Sequence, residues 1–132
     1  MVARCHGIGS LVSEVARRLP EARERIRARL LDRLSTLAIS PNQERFEQEL
    51  VLALQRMDVD EELDRLKGHL DEVLSALDSD EAVGRRLDFL MQELNREANT
   101  LSSKSQDLET TRAAIDIKVL IEQMREQVQN VE

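Results

Sequence analysis

Two groups of acidic side chains at helical spacing are the residues in this 132-residue sequence best suited to chemistry. Asp58, Glu62, Arg65, His69 and Glu72 recur at steps of four, three, four and three, so a continuous helix carries all five on one side. Glu93 and Glu97 stand one turn apart, flanked by Gln92, Arg96, Asn99 and Thr100. Carboxylates at i, i+4 repel by about a few tenths of a kcal/mol in an isolated helix, and a divalent cation or an arginine offsets that repulsion. Oxygen donors with one imidazole suit Mg²⁺ or Mn²⁺. Two solvated helix faces with no ligand are the bland alternative, and spacing alone does not separate the two.

Several other devices are missing. The glycines, at 7, 9, 68 and 84, are too scattered for a phosphate loop, and there is no Cys/His zinc spacing and no GxSxG. Only two histidines exist, His6 and His69. With Phe46 and Phe89 as the sole aromatics, the platforms that stack single-stranded bases are not expected. One cysteine, Cys5, forms no intrachain disulfide and reads as a stray N-terminal thiol. No stretch resembles a signal peptide, and the longest apolar run, residues 50–54, is far short of the roughly 20 residues of a membrane helix. A soluble cytoplasmic protein with no membrane partner is the expectation.

Charge is distributed unevenly. Residues 1–35 hold eight arginines against four acids, whereas the remainder holds 11 basic and 22 acidic residues. That asymmetry points either to a nucleic-acid or partner surface on the basic side or to a solvated arginine-rich helix. The pair Arg85-Arg86, near a helix start and after Gly84, sits against the macrodipole and suggests an anionic contact; a frayed first turn is the alternative.

The elements that must position these residues are helical. Leu, Ala, Arg, Glu and Gln dominate and aromatics are 2%, which excludes an all-β fold and disfavours α/β. Apolar steps of three and four mark four stretches. The first, from about residue 9 to 37, contains Pro20, where a kink or short break is expected. A loop at 38–42 follows, with Ser40 as N-cap and Pro41 at the first helical position. The second covers about 41–77, with Asp58-Val59-Asp60 as either a stutter or a break capped by Asp60. The third carries Val83, Leu87, Leu90, Leu94, Ala98 and Leu101, and Ser102–Ser105 read as a tight corner. The fourth carries Ala114, Ile117, Ile121, Met124, Val128 and Val131. The expected fold is all-α: an elongated antiparallel bundle of about four long helices with coiled-coil-like packing. A seam left over on the last helix predicts oligomerisation. Two parts are anticipated, an arginine-rich arm with its loop over 1–40 and a helical domain over 41–132.

The run Val83-Gly84-Arg85-Arg86-Leu87-Asp88-Phe89-Leu90-Met91-Gln92-Glu93-Leu94-Asn95-Arg96-Glu97-Ala98-Asn99-Thr100-Leu101-Ser102-Ser103-Lys104 closely resembles the C-terminal signature of the YicC/YloC family of bacterial endoribonucleases. Phe46–Leu50, Asp58–Leu66 with His69, and Lys118–Glu132 are also similar to that family, so the resemblance covers about 43–132. Residues 10–37 resemble its preceding helical segment less specifically, and Arg4–Gly9 do not resemble it. Members are roughly twice this length, with an N-terminal α+β domain, so the sequence is expected to be the C-terminal portion.

The resemblance implies divalent-metal dependence (Mn²⁺ or Mg²⁺), RNA as substrate and a homo-hexameric assembly. It makes Glu62, His69, Glu93 and Glu97 the expected metal ligands, with Glu93 and Glu97 catalytic in phosphodiester hydrolysis. Arg65, Arg96 and Lys104 are expected on phosphate oxygens, with Arg85 and Asn99 as further RNA contacts. The competing expectations are a helical oligomerisation module without chemistry, and salt-sensitive nucleic-acid binding through the arginines of residues 17–33.

Overall fold

The structure, a computed structural model, describes residues 1–36, 43–56, 58–79, 84–105 and 107–131. They form five helices: α1 (Val2–Thr36), α2 (Gln43–Arg56), α3 (Asp60–Leu77), α4 (Gly84–Lys104) and α5 (Leu108–Val131). No strand occurs among the described residues, in line with the all-α expectation. None of these helices is long and apolar enough to cross a membrane.

Four helices make a square bundle in which each packs antiparallel on two neighbours. α4 lies between α3 and α5, and the first half of α1 closes the square against the same two helices. Direction follows from contacts. Arg4 near the start of α1 donates to Gln123 and Gln127 near the end of α5, and Arg18 pairs with Glu109 at the start of α5. The core is aliphatic and its phase is the one read from sequence. Leu63, Leu66, Leu70 and Val73 come from α3, Leu87, Leu90, Leu94, Ala98 and Leu101 from α4, and Ala114, Ile117, Ile121, Met124 and Val128 from α5. Met91 is also fully buried, because a helix wedged between two others buries a broader face than one stripe.

Several expectations change. α1 begins at Val2, not near residue 9, and its buried series starts at Cys5 and Ile8. Cys5 is therefore a core residue: its Sγ lies 3.7 Å from Met124 Sδ, and burial pushes its thiol pKa up, only partly opposed by the nearby N-terminal charge. A Cβ on Gly7 would meet Leu120 Cδ1 at 3.3 Å, so α1 and α5 approach closely there. α1 runs through Pro20 without a break; the proline removes only its own donor, which leaves the Ala16 carbonyl without its usual partner. The seam of α5 is not left over: α1 and α4 cover it within the chain. The loop at 38–42, with Ser40 and Pro41, lies outside the described residues.

The second stretch breaks rather than stutters, with Val59 and not Asp60 at the N-cap position. Asp60 is the first residue of α3, and the Asp58 carboxylate accepts its N–H at 3.0 Å, an Asx-type turn. Arg23 of α1 bridges Asp58 (2.8 Å) and Asp60 (2.6 Å), which pins α1 to this turn. Burial pushes the Asp58 carboxyl up, but the Asp60 N–H and the Arg23 guanidinium outweigh it and hold it below the usual range; hydrogen bonding to Asp60 raises Arg23. At the other corner α4 continues through Ser102 and Ser103 to Lys104, and before α5 the Asp107 carboxylate accepts from the Glu109 N–H and the Thr110 hydroxyl.

Two measurements check this packing. Leu94→Ala should cost about 3 kcal/mol in denaturant unfolding, since Leu94 is fully buried, whereas Phe89→Ala at an exposed position should stay within about 0.5 kcal/mol. A depressed carboxyl stabilises the fold above its ordinary pKa of about 3.9 and loses that contribution as pH falls through the lower folded value. Asp58→Asn should therefore cost about 0.5–1 kcal/mol at pH 7, with the difference from wild type closing below about pH 4.

Candidate metal centre

α3 and α4 present the candidate residues to each other across their shared face. One ligand atom each from His69, Glu93 and Glu97 lies within 4.8 Å of the other two. A divalent ion with donors at about 2.1 Å sets them up to about 4.2 Å apart, so small side-chain rotations suffice to close on one. Glu97 is buried, while His69 and Glu93 are half-buried. The His69 Nδ1 is buried with no hydrogen-bond partner. A buried imidazole nitrogen without a partner is costly unless something satisfies it, and the donor set of one imidazole and two carboxylates fits a hard or borderline divalent cation.

Arg65 lies beside the cluster. One guanidinium nitrogen is 3.5 Å from Glu97 Oε2 and the other donates to Glu61 at 3.1 Å. Its side chain is 52% exposed, so it offsets part of the carboxylate repulsion without being locked in place.

Glu62 departs from the expected ligand set. It shares the α3 stripe with His69 but lies seven residues earlier, about 10 Å along the axis. There its Oε1 accepts from Lys104 Nζ at 2.9 Å, and the same ammonium donates to the Asp58 carbonyl at 3.3 Å. Glu62 Oε2 is buried without a partner. Lys104, expected on RNA phosphate, is thus engaged in tying the end of α4 to the start of α3. Glu72, at the end of the same stripe, is exposed and also outside the cluster.

The remaining expected RNA contacts are on open surface. Arg85, Arg96 and Asn99 are exposed on α4, and Arg85 and Arg86 occupy its first turn. Gly84 is the first residue of α4 and not an interior one, so its propensity cost is small. Phe89, set aside in the sequence reading as one of only two aromatics, is 56% exposed on the same helix. It lies on the side of α4 opposite the buried stripe of Leu87, Leu90, Leu94 and Ala98, a phase that the sequence carries.

The described residues thus form a helical bundle with a His/Glu/Glu cluster between two antiparallel helices. Residues 15–132 match the family described as Endoribonuclease YicC-like, C-terminal, and the chain belongs to that family. It is 48% identical over 129 residues to the probable endoribonuclease YicC of Haemophilus influenzae, which covers 98% of the chain. It is 33% identical over 132 residues to the probable endoribonuclease YicC of Clostridioides difficile, again covering 98%. Coverage that nearly complete takes in Arg4–Gly9, so the opening aligns with relatives after all. The chain spans 45% of the length of each of these relatives.

The Lys104–Glu62 contact is testable alone. Lys104→Met leaves a buried carboxylate without its cation and should cost about 2 kcal/mol in denaturant unfolding, discounted for the part-exposed ammonium. Adding Glu62→Gln to Lys104→Met should recover most of that loss, a coupling read from the double-mutant cycle.

Proposed function

We propose that this chain is the helical portion of a divalent-metal-dependent endoribonuclease, and that His69, Glu93 and Glu97 hold its cation. The convergence of those three side chains from two helices, with the His69 Nδ1 left unpartnered, carries the reading. The names of the relatives support RNA as the substrate class. A divalent ion at this place would supply charge neutralisation at a scissile phosphate and a more acidic water for hydrolysis.

The chain's own groups do the rest. Glu93 and Glu97 bring carboxylate oxygens to one place between α3 and α4, and His69 adds a nitrogen donor. Arg65 is placed to exchange Glu97 for a phosphate, which its planar fork contacts through two N–H groups. Arg96 and Asn99 extend that contact along α4. Glu62 and Lys104 act one step removed, by fixing how α3 and α4 align.

Homo-oligomerisation belongs to this proposal too, and a specific surface supports it. Leu108, Ile115 and Val119 are exposed on one side of α5, away from the seam that the chain itself covers.

The test combines metal binding by this chain with RNA cutting by a full-length relative. His69→Ala, Glu93→Gln and Glu97→Gln should each weaken Mn²⁺ binding by about tenfold or more, followed by Mn²⁺ electron paramagnetic resonance. The corresponding substitutions in the relative should abolish cutting that chelator also abolishes. Unchanged Mn²⁺ affinity would overturn the ligand assignment, and a stable oligomer with no metal-dependent cutting would favour the scaffold reading.

A further inference from the structure

We propose that Phe89 is a stacking platform for a base of single-stranded RNA, set one helical turn from the carboxylate cluster; this deepens the RNA reading above and rests on it. Phe89, Glu93, Arg96 and Thr100 follow one another at steps of four, three and four, so they lie along one side of α4. The ring is therefore about 6 Å along the axis from the backbone of Glu93.

Two cationic side chains flank it on the same side of α4. Arg85 lies one turn before Phe89 and Arg96 two turns after it, both exposed. Cationic forks on either side of an aromatic face are the combination that tracks a phosphate backbone while a base lies on the ring. The sequence expectation of no stacking platform rested on the number of aromatics, whereas this proposal rests on where one of them stands.

Phe89 is also the single exposed large apolar side chain on the described part of α4. A protein partner's helix wants a row of such residues, as α5 offers with Leu108, Ile115 and Val119. One ring among arginines and carboxylates suits a base, which buries a single face. Stacking tolerates every base, with a modest preference for purines. On this reading Phe89 holds a nucleotide beside the cation cluster without choosing its sequence.

The experiment uses the whole chain, a short fluorescent oligoadenylate RNA and chelator to prevent cutting. Phe89→Ala should weaken binding on the order of tenfold by anisotropy. Phe89→Leu should be nearly as weak, because it keeps apolar bulk and loses the π face. Phe89→Trp should bind like wild type, and its emission, free of any other tryptophan in the chain, should be quenched as oligoadenylate saturates. Thermal unfolding serves as the folding control for all three.

Wild-type affinity in Phe89→Leu, or tryptophan emission indifferent to bound RNA, overturns the platform. So does a drop in oligomer mass in Phe89→Ala with RNA affinity retained, which assigns the ring to a protein interface. RNA binding that survives Phe89→Ala yet falls with Arg65→Ala retires the platform and keeps the RNA reading. If the wild-type chain binds no RNA, the platform and the RNA reading both fall.

Discussion

The antiparallel register of α3 on α4 is the constraint on which the site depends. At one end Lys104 reaches Glu62 and the Asp58 carbonyl. Seven residues forward along α3 is His69, and seven residues back along α4 is Glu97, so the register that joins the first pair opposes the second. A slip of one residue would turn these side chains by about 100° around the axis and separate them. The aliphatic layers resist that slip, since Leu66, Leu70, Leu90, Leu94 and Leu101 would leave the core together.

Buried charge is handled differently in the two places. Glu62 faces one ammonium and keeps an unpaired oxygen, an arrangement that is poor for stability and good for fixing alignment. Glu97 is also buried, but its counter-charge comes from a half-exposed, two-way arginine at a longer distance. The first charge is committed to the fold, and the second is held loosely enough to change partners. Sequence spacing treats the two glutamates alike, as members of helical stripes at steps of three and four.

How much was legible follows from what period and composition encode. Helical phase is local, so the core faces of α3, α4 and α5 were readable, as were His69, Glu93 and Glu97 as co-facial on their own helices. Which stripe meets which is tertiary, and that is why Glu62 was grouped with His69 when Lys104 in fact claims it. The regular seam of α5 signalled a partner, yet could not say that α1 and α4 of the same chain supply it. The break before α3 depended on an Asx turn clamped by a distant arginine, Arg23, which no window of neighbouring residues contains. Phe89 was discounted by an argument from numbers, and exposure is not a number that composition holds.

The layout of α1 divides the molecule energetically. From Cys5 to Ala22 the helix is anchored every turn by buried side chains. Beyond Ala22, among the residues of α1 whose burial is described, only Ile26 and Leu30 are half-covered, and the helix with which this part is paired is α2, itself contributing Leu50 as its sole buried residue among those described. A segment with so little burial opens at a free energy well below that of the whole molecule. By that argument the second half of α1 and α2 form the weaker end of the molecule, where amide hydrogens exchange through local opening more readily than in the four-helix square.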